Sequence, residues 1–310
     1  MVYKIERLTD QVSILGEAPF WDEEKQVLYF VDIYGKYLQK YDPATNVFTK
    51  VEIEDLVHAV IPVKGKPDEF FIPLNEELQV INWDGQSAEY SVVKSLWKFD
   101  DKLKGKSIFN DAKCDQTGRL WIGTLDSRIV GLPAPKVDQW EGFFISYQKG
   151  KVVTHATNIG ISNGIAFDDV LKKLYFVDTA SGIIDQFDFE EGSGTLANRE
   201  TVFTFDKHKL SGYPDGLTID ADGNLWVAAV TAGKILKIDP RKPETLLDTI
   251  VLPAIQPTSV TFGGPQLDEL YVTTARFPVE GVTPEPPVNG SLYKITNLGV
   301  KGLPSNKFVY

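Results

Sequence analysis

Six polar residues occupy one repeated place in the sequence, and they carry most of the chemistry it offers. Glu17 in GEAPFWD, His58 in LVHAVIP, Asn110 in FNDAKCD, Asn163 in SNGIAFD, Asp215 in YPDGLTID and Ser259 in TSVTFGG each stand about 11 to 13 residues ahead of an aromatic residue. Glu17, Asn163 and Asp215 offer hard oxygen donors with a formal charge of −2, the ligand chemistry of Ca²⁺, Mg²⁺ or Mn²⁺ rather than of a soft metal. Carboxylates and carboxamides brought to one point repel each other or stay unsatisfied unless a cation lies between them. His58 reads in two ways, as a proton shuttle with a near-neutral pKa or as a hydrogen-bonded histidine of the same wall.

The aromatic residues that define this register are Tyr29, Phe71, Trp121, Tyr175, Trp226 and Tyr271. They recur roughly every 40 to 55 residues, the repeat length of a propeller blade. Each belongs to a pattern of turn, aromatic-rich strand, short turn and second alternating strand, as in EEKQVLYFVDIYGKYLQKYDP and ADGNLWVAAVTAGKILKIDP. The pattern predicts an all-β, six-bladed β-propeller. No linker or change of composition divides it, so residues 1–310 are expected to form a single domain. In a propeller the strand before the aromatic one is innermost, which gathers the six polar residues into a ring around one mouth of the central channel. Two Pro-rich excursions, LDSRIVGLPAPKVDQWEG and FPVEGVTPEPPVNG, read either as lids over that mouth or as tolerated surface insertions.

Other chemistries are disfavoured. The net charge of −11 argues against binding nucleic acid through its phosphates. No stretch approaches the roughly 18 apolar residues of a membrane span, and MVYKIERLTDQV lacks the apolar core of a secretory signal, so no membrane partner and a cytoplasmic location are expected. The lone cysteine, Cys114, rules out an internal disulfide and reads as a small buried residue. A GxSxG elbow is absent, DADGN and DQTGR fall where blade turns are needed, and His155 and His208 read as surface residues.

With these residues in place, the chain resembles the SMP-30/gluconolactonase/LRE-like family, which includes regucalcin and the luciferin-regenerating enzymes, and looks most like its insect members. GEAPFWD, LYFVD, FNDAKCDQTGRLWIGT, ISNGIAF, GYPDGLTIDADGNLWVA, TSVTFGGPQLDELYVTTA and LGVKGL follow in family order over essentially the whole chain. The resemblance implies a six-bladed propeller holding one divalent metal ion (Ca²⁺, Mn²⁺, Mg²⁺ or Zn²⁺) through Glu17, Asn163 and Asp215. It also implies that Asn110 lies near the substrate and that Asp215 doubles as general base in hydrolysis of a small lactone or ester. The chain departs from the family's sugar-lactone pattern at Ile108, where those relatives carry arginine. After GT, either Asp126 supplies the acidic residue that binds sugar hydroxyls or Arg128 replaces it. An apolar residue at 108 suits a more apolar substrate. The leading expectation is a metal-dependent hydrolase in which Asp215 or His58 accepts the proton of the attacking water. The rivals are a calcium-binding regulatory protein without turnover, an organophosphate triester hydrolase, and a propeller scaffold for protein partners.

Overall fold

A computed structural model describes residues 2–129, 134, 137–279 and 281–310. The lid residues of GLPAP lie largely outside that set. A first strand, β1 (Lys4–Arg7), is followed by β2 (Gly16–Asp22), β3 (Val27–Asp32), β4 (Tyr37–Asp42) and β5 (Val47–Glu52), which form the first antiparallel sheet. The second sheet is β6 (Ile61–Val63), β7 (Lys66–Pro73), β8 (Glu77–Asn82) and β9 (Ser91–Lys98). The third is β10 (Ser107–Cys114), β11 (Leu120–Asp126), β12 (Gly142–Gln148) and β13 (Lys151–Ile159). The fourth is β14 (Ser162–Asp168), β15 (Lys173–Asp178), β16 (Ile183–Glu190) and β17 (Thr195–Thr204), and the fifth is β18 (Tyr213–Ile219), β19 (Leu225–Val230), β20 (Lys234–Ile238) and β21 (Leu246–Val251). In the sixth, β22 (Pro257–Gly263), β23 (Glu269–Thr274) and β24 (Tyr293–Thr296) are completed by β1, which pairs antiparallel with β24. The sheets are the six blades of a β-propeller, and the N-terminal strand zips the last of them shut.

The aromatic anchors lie on the second strand of each blade, and Tyr29, Phe71, Trp121, Tyr175, Trp226 and Tyr271 are all buried. They fill the layers between neighbouring sheets, as in the stacked pair Trp21 and Tyr271 and the edge contact of Tyr29 with Phe70. The expected turns hold the anchors in place. Asp115 and Asp220, the first residues of DQTGR and DADGN, each accept the indole N–H of the next tryptophan, Trp121 and Trp226, at 2.9 Å.

Inner strands meet around the axis, β10 against β14, β14 against β18, β18 against β22, and β22 back against β2. Their approach is so close that two positions admit no side chain. A Cβ on Gly164 would lie 2.6 Å from Leu217 N and 2.8 Å from Asp215 O, and one on Gly216 would lie 2.0 Å from Ser259 Oγ. The same strands bulge near their starts. Asn110–Asp111, Asn163–Gly164 and Asp215–Gly216 are each two residues facing one on the neighbouring strand, the irregularity that re-aims side chains beside functional sites.

At the opposite end of the channel the C-terminal segment crosses the ring. Gly302 N–H donates to Leu267 O at 2.7 Å, Phe308 N–H to Pro62 O at 3.0 Å, and Val309 N–H to Gly118 O at 3.0 Å. Between these points Ser305 and Asn306 close a cavity of about 30 Å³ whose other walls include Asp111, Lys113 and Ser259. The C-terminal segment therefore closes this end of the channel, and the ring residues stand at the other, near the starts of the inner strands. Substituting Gly164→Ala is expected to lower stability by about 1–3 kcal/mol, read as a lower urea midpoint at unchanged slope; an unaltered midpoint would mean that the inner strands can separate.

Candidate functional site

Strand register locates the ring. Phe20 faces Tyr29, Ile61 faces Phe71, Lys113 faces Trp121, Ala166 faces Tyr175, Thr218 faces Trp226 and Thr261 faces Tyr271. Three residues before each stand Glu17, His58, Asn110, Asn163, Asp215 and Thr258. The sixth member is thus Thr258, not Ser259: strand pairing sets it 13 residues before Tyr271, as His58 stands 13 before Phe71. Thr258 Oγ1 donates to Gly16 O at 2.5 Å and ties blade six to blade one. Ser259 shares the next position with Ala18, Ala59, Asp111, Gly164 and Gly216.

Glu17, His58, Asn163 and Asp215 are 5–8% exposed, and their hydrogen bonds leave oxygen rather than hydrogen facing inward. Thr179 Oγ1 donates to Pro214 O (2.7 Å) and so accepts from Asn163 Nδ2 (3.1 Å), which fixes the amide and leaves Asn163 Oδ1 buried without a partner among the described residues. Asn110 Nδ2 donates to Ser162 O at 2.8 Å, turning its own Oδ1 away from that bond. Among the described residues Asp215 Oδ1 is likewise buried and unpartnered, and Glu17 Oε2 accepts the neighbouring Ala18 N–H at 2.9 Å. Unpartnered buried acceptors of this kind cost free energy until something positive meets them.

The charges agree. Burial pushes the Glu17 carboxyl well above its usual range, with Asp215 and then Asp111 adding repulsion against the Ala18 N–H. Burial, then Asp111, does the same to Asp215, opposed by the Asn163 side chain and the Gly216 N–H. Asp111 is itself raised by burial, against Lys113 and the Ala112 N–H, and Lys113 is lowered by burial against Asp111. Among the described residues no three His, Cys, Asp or Glu side chains gather as a metal cluster, so a cation here depends on carboxamide oxygen as well as carboxylate. Two carboxylates with asparagine oxygens form an all-oxygen donor set, which fits a hard divalent ion.

His58 is buried, and its ring is pushed down to about 4, burial outweighing the hydrogen-bonding pull of the Asn75 side chain, the charge of Asp55 and the hydrogen-bonding pull of the Asn110 side chain. It is a neutral imidazole at physiological pH. Ile108, half-buried on β10, lines a cavity of about 480 Å³ with Leu74, Phe99 and Asn75, the last of which also contacts His58, and with charged residues that include Asp55, Glu76 and Lys104. Asp126 is fully buried and its oxygens accept from Arg128 Nε (2.9 Å), Arg128 Nη2 (2.5 Å) and Glu141 N–H (2.7 Å). Burial opposes its ionisation, but these bonds prevail and hold it at about 2. Asp126 and Arg128 thus form a self-satisfied clamp at the end of β11. Cys114 is buried, as expected. His155 and His208 are not simple surface residues: both are half-buried, His155 tilted against Trp121 and His208 stacked on Phe203.

Sequence reasoning did not single out Asp111, Lys113, Thr179, Asn75 or Asp55. Asp111 and Lys113 had a usable signal, since each is the one charged residue at its inner-strand position. Thr179, Asn75 and Asp55 are brought in by hairpins and strand ends that no register of the inner strands reveals.

Comparison with known proteins bears on this arrangement. The profile of the SMP-30/Gluconolactonase/LRE-like region matches residues 15–276. The chain is similar to regucalcin of Xenopus laevis, with 34% identity over 309 residues and 98% of each chain covered. Among solved structures it is similar to a luciferin-regenerating enzyme, with 38% identity, a TM-score of 0.91 and full coverage of both chains. The fold is also that of a calcium-binding protein, regucalcin, from Agrobacterium tumefaciens, at a TM-score of 0.82 and 22% identity, with 98% and 97% of the two chains covered.

The ring generates a pH prediction. In protein freed of metal by chelation, Glu17, Asp111 and Asp215 have native pKa values above their unfolded ones, so the folded state takes up the extra protons. Their contribution to stability is full below the unfolded values, about 4.5 for Glu and 3.8 for Asp, and is lost as pH rises through the native ones. Thermal unfolding of wild type and Asp215→Asn in chelator at pH 5 and pH 8 should therefore show the variant gaining on wild type at the higher pH. Ca²⁺ should raise the wild-type Tm more at pH 8 than at pH 5. Equal pH dependence in the two proteins would remove the ring charges as its cause.

Proposed function

The chain belongs to the SMP-30/gluconolactonase/LRE-like family, and on that footing we propose that it hydrolyses a small lactone or ester with the help of one divalent cation. The observation that carries this reading is the set of acceptors on the ring that are unpartnered among the described residues, Asn163 Oδ1 and Asp215 Oδ1 beside Glu17. Glu17, Asn163 and Asp215 would hold the ion. Bound there, it would supply Lewis acidity towards the substrate carbonyl and compensate the negative charge that develops on its oxygen.

The remaining work falls to the chain. Asn110 orients the substrate at the rim. Hydrolysis joins a water oxygen to the carbonyl carbon and breaks the C–O bond to the leaving alkoxide, which takes up a proton. His58 or Asp215 accepts the proton from the attacking water and returns it to that oxygen. Each suits the role for its own reason: His58 is neutral at physiological pH, and Asp215 keeps one buried carboxylate oxygen unpartnered among the described residues. The apolar face of Ile108, beside Leu74 and Phe99, favours a substrate arm with fewer hydroxyls than a sugar lactone. A second reading, a cation-binding protein without turnover, draws on the same oxygens.

The test is hydrolysis of sugar lactones, aliphatic lactones, aryl esters and phosphotriesters by metal-stripped protein with Ca²⁺, Mn²⁺, Mg²⁺ or Zn²⁺ restored. Turnover should return with metal and fall at least about 100-fold in Asp215→Ala; full metal-dependent activity in that variant would refute the assignment. Cation-dependent stabilisation with no turnover would leave the binding protein. Triester turnover above lactone turnover would make phosphoryl chemistry the main activity. Ile108→Arg is expected to shift the ratio of kcat/KM values towards sugar lactones by about 10-fold.

A further inference from the structure

His58 is held from two sides before β6 begins. Its backbone N–H donates to Pro73 O at 3.0 Å, and its side chain meets Asn75, in the β7–β8 turn, with Nε2 to Oδ1 at 3.0 Å. Asn75 is in turn anchored to the third blade, because its carbonyl accepts Phe109 N–H at 2.9 Å. Its amide nitrogen donates to Asp55 Oδ1 at 3.0 Å, and the same carboxylate oxygen accepts Leu56 N–H at 2.8 Å.

This chain of contacts determines where the imidazole proton sits. The Asp55 carboxylate only accepts, so Asn75 must turn its NH₂ to Asp55 and its oxygen to His58. That oxygen requires a hydrogen on Nε2. A neutral imidazole has one N–H, so Nδ1 is left with a bare lone pair. Among the described residues Nδ1 is buried without a hydrogen-bond partner, although the Asn110 side chain lies near enough to the imidazole to favour its charged form, and His58 stands on the ring between Glu17 and Asn110. An oriented base steadied through its other nitrogen by a fixed polar group is the arrangement that general-base catalysis needs.

We propose that Asn75, steadied by Asp55, is a positioning residue that fixes His58 as its Nε2–H tautomer and so makes Nδ1 the proton acceptor of the ring. The catalytic consequence rests on the hydrolytic reading of the site; the tautomer does not. In the step this serves, a water proton passes to Nδ1 as the water oxygen bonds to the carbonyl carbon. The resulting imidazolium keeps its Nε2–H on Asn75 and gives the Nδ1 proton to the leaving oxygen as the C–O bond breaks.

The sequence contains three histidines, so long-range ¹H–¹⁵N spectra of the imidazoles should resolve into three patterns, with His58 identified by its loss in His58→Gln. Wild type should carry the His58 proton on Nε2. Asn75→Ala should give a tautomer mixture, and so should Asp55→Asn, which frees the Asn75 amide to rotate. Asn75→Asp, which retains an acceptor, should keep the wild-type pattern. On a substrate turned over in the panel above, Asn75→Ala should lower kcat by about 10- to 100-fold with KM within about twofold, and Asn75→Asp should recover most of the loss. A proton on Nδ1 in wild type, or an unchanged pattern in Asn75→Ala, overturns the proposal. If Asn75→Ala does not fold, Asp55→Asn decides it, an unchanged pattern there being equally adverse. If no substrate is turned over, the hydrolytic reading fails while the spectra still decide the tautomer.

Discussion

Six strands converge on one axis, and the distance between them is set by residues with almost no side chain. Gly164 packs against the Asp215 carbonyl and the Leu217 amide, and Gly216 against the Ser259 hydroxyl. This crowding fixes the width of the channel, and the bulges beside it turn Asn110, Asn163 and Asp215 out of the ordinary pleat alternation. A wider ring would separate the oxygens of neighbouring blades and let water satisfy each of them. The tight one brings acceptors together faster than it supplies donors.

Electrostatics follow from that geometry. Three carboxyl groups, Glu17, Asp111 and Asp215, share the channel with one ammonium, Lys113, whose Nζ donates to Leu217 O at 3.3 Å. Burying like charges is unfavourable unless they are neutralised by protons or by a counter-ion, and Lys113 offsets only part of the charge. The same interior that raises the carboxyl groups lowers Lys113 and His58. Rigid packing, not any single ligand, therefore creates the demand for positive charge at the mouth. The Asp126–Arg128 clamp contrasts with it, since an arginine within reach satisfies that carboxylate completely.

Much of this was legible in the sequence because blade repetition is a long-period signal that local ambiguity does not erase. Tyr29 and Trp226 mark their blades by sitting on strands buried on both faces, and five ring positions follow by counting back from such anchors. Counting failed at Ser259 because blades two and six set the ring residue 13 positions ahead of the anchor and the others 11 or 12, so the count alone does not choose between Thr258 and Ser259. It also gave no account of β1, whose four residues, KIER, mostly face outward and acquire meaning only when β24 lies beside them. Asn75 was invisible for a related reason: its partners Asp55 and His58 lie 20 and 17 positions away, joined through a hairpin fold and not through any periodicity.

The crossing C-terminal segment has a temporal side. Phe308 is wholly buried against Phe71 and Tyr147, blades two and three, and β24 pairs with β1. During synthesis the first blades emerge long before either seal exists. Until residues 293–310 have been made, the sixth blade lacks its third strand and β1 has no neighbour. The closed ring is thus a late event in the life of the chain, completed when the last blade meets the first strand, after Glu17, Asp111 and Asp215 have all been made.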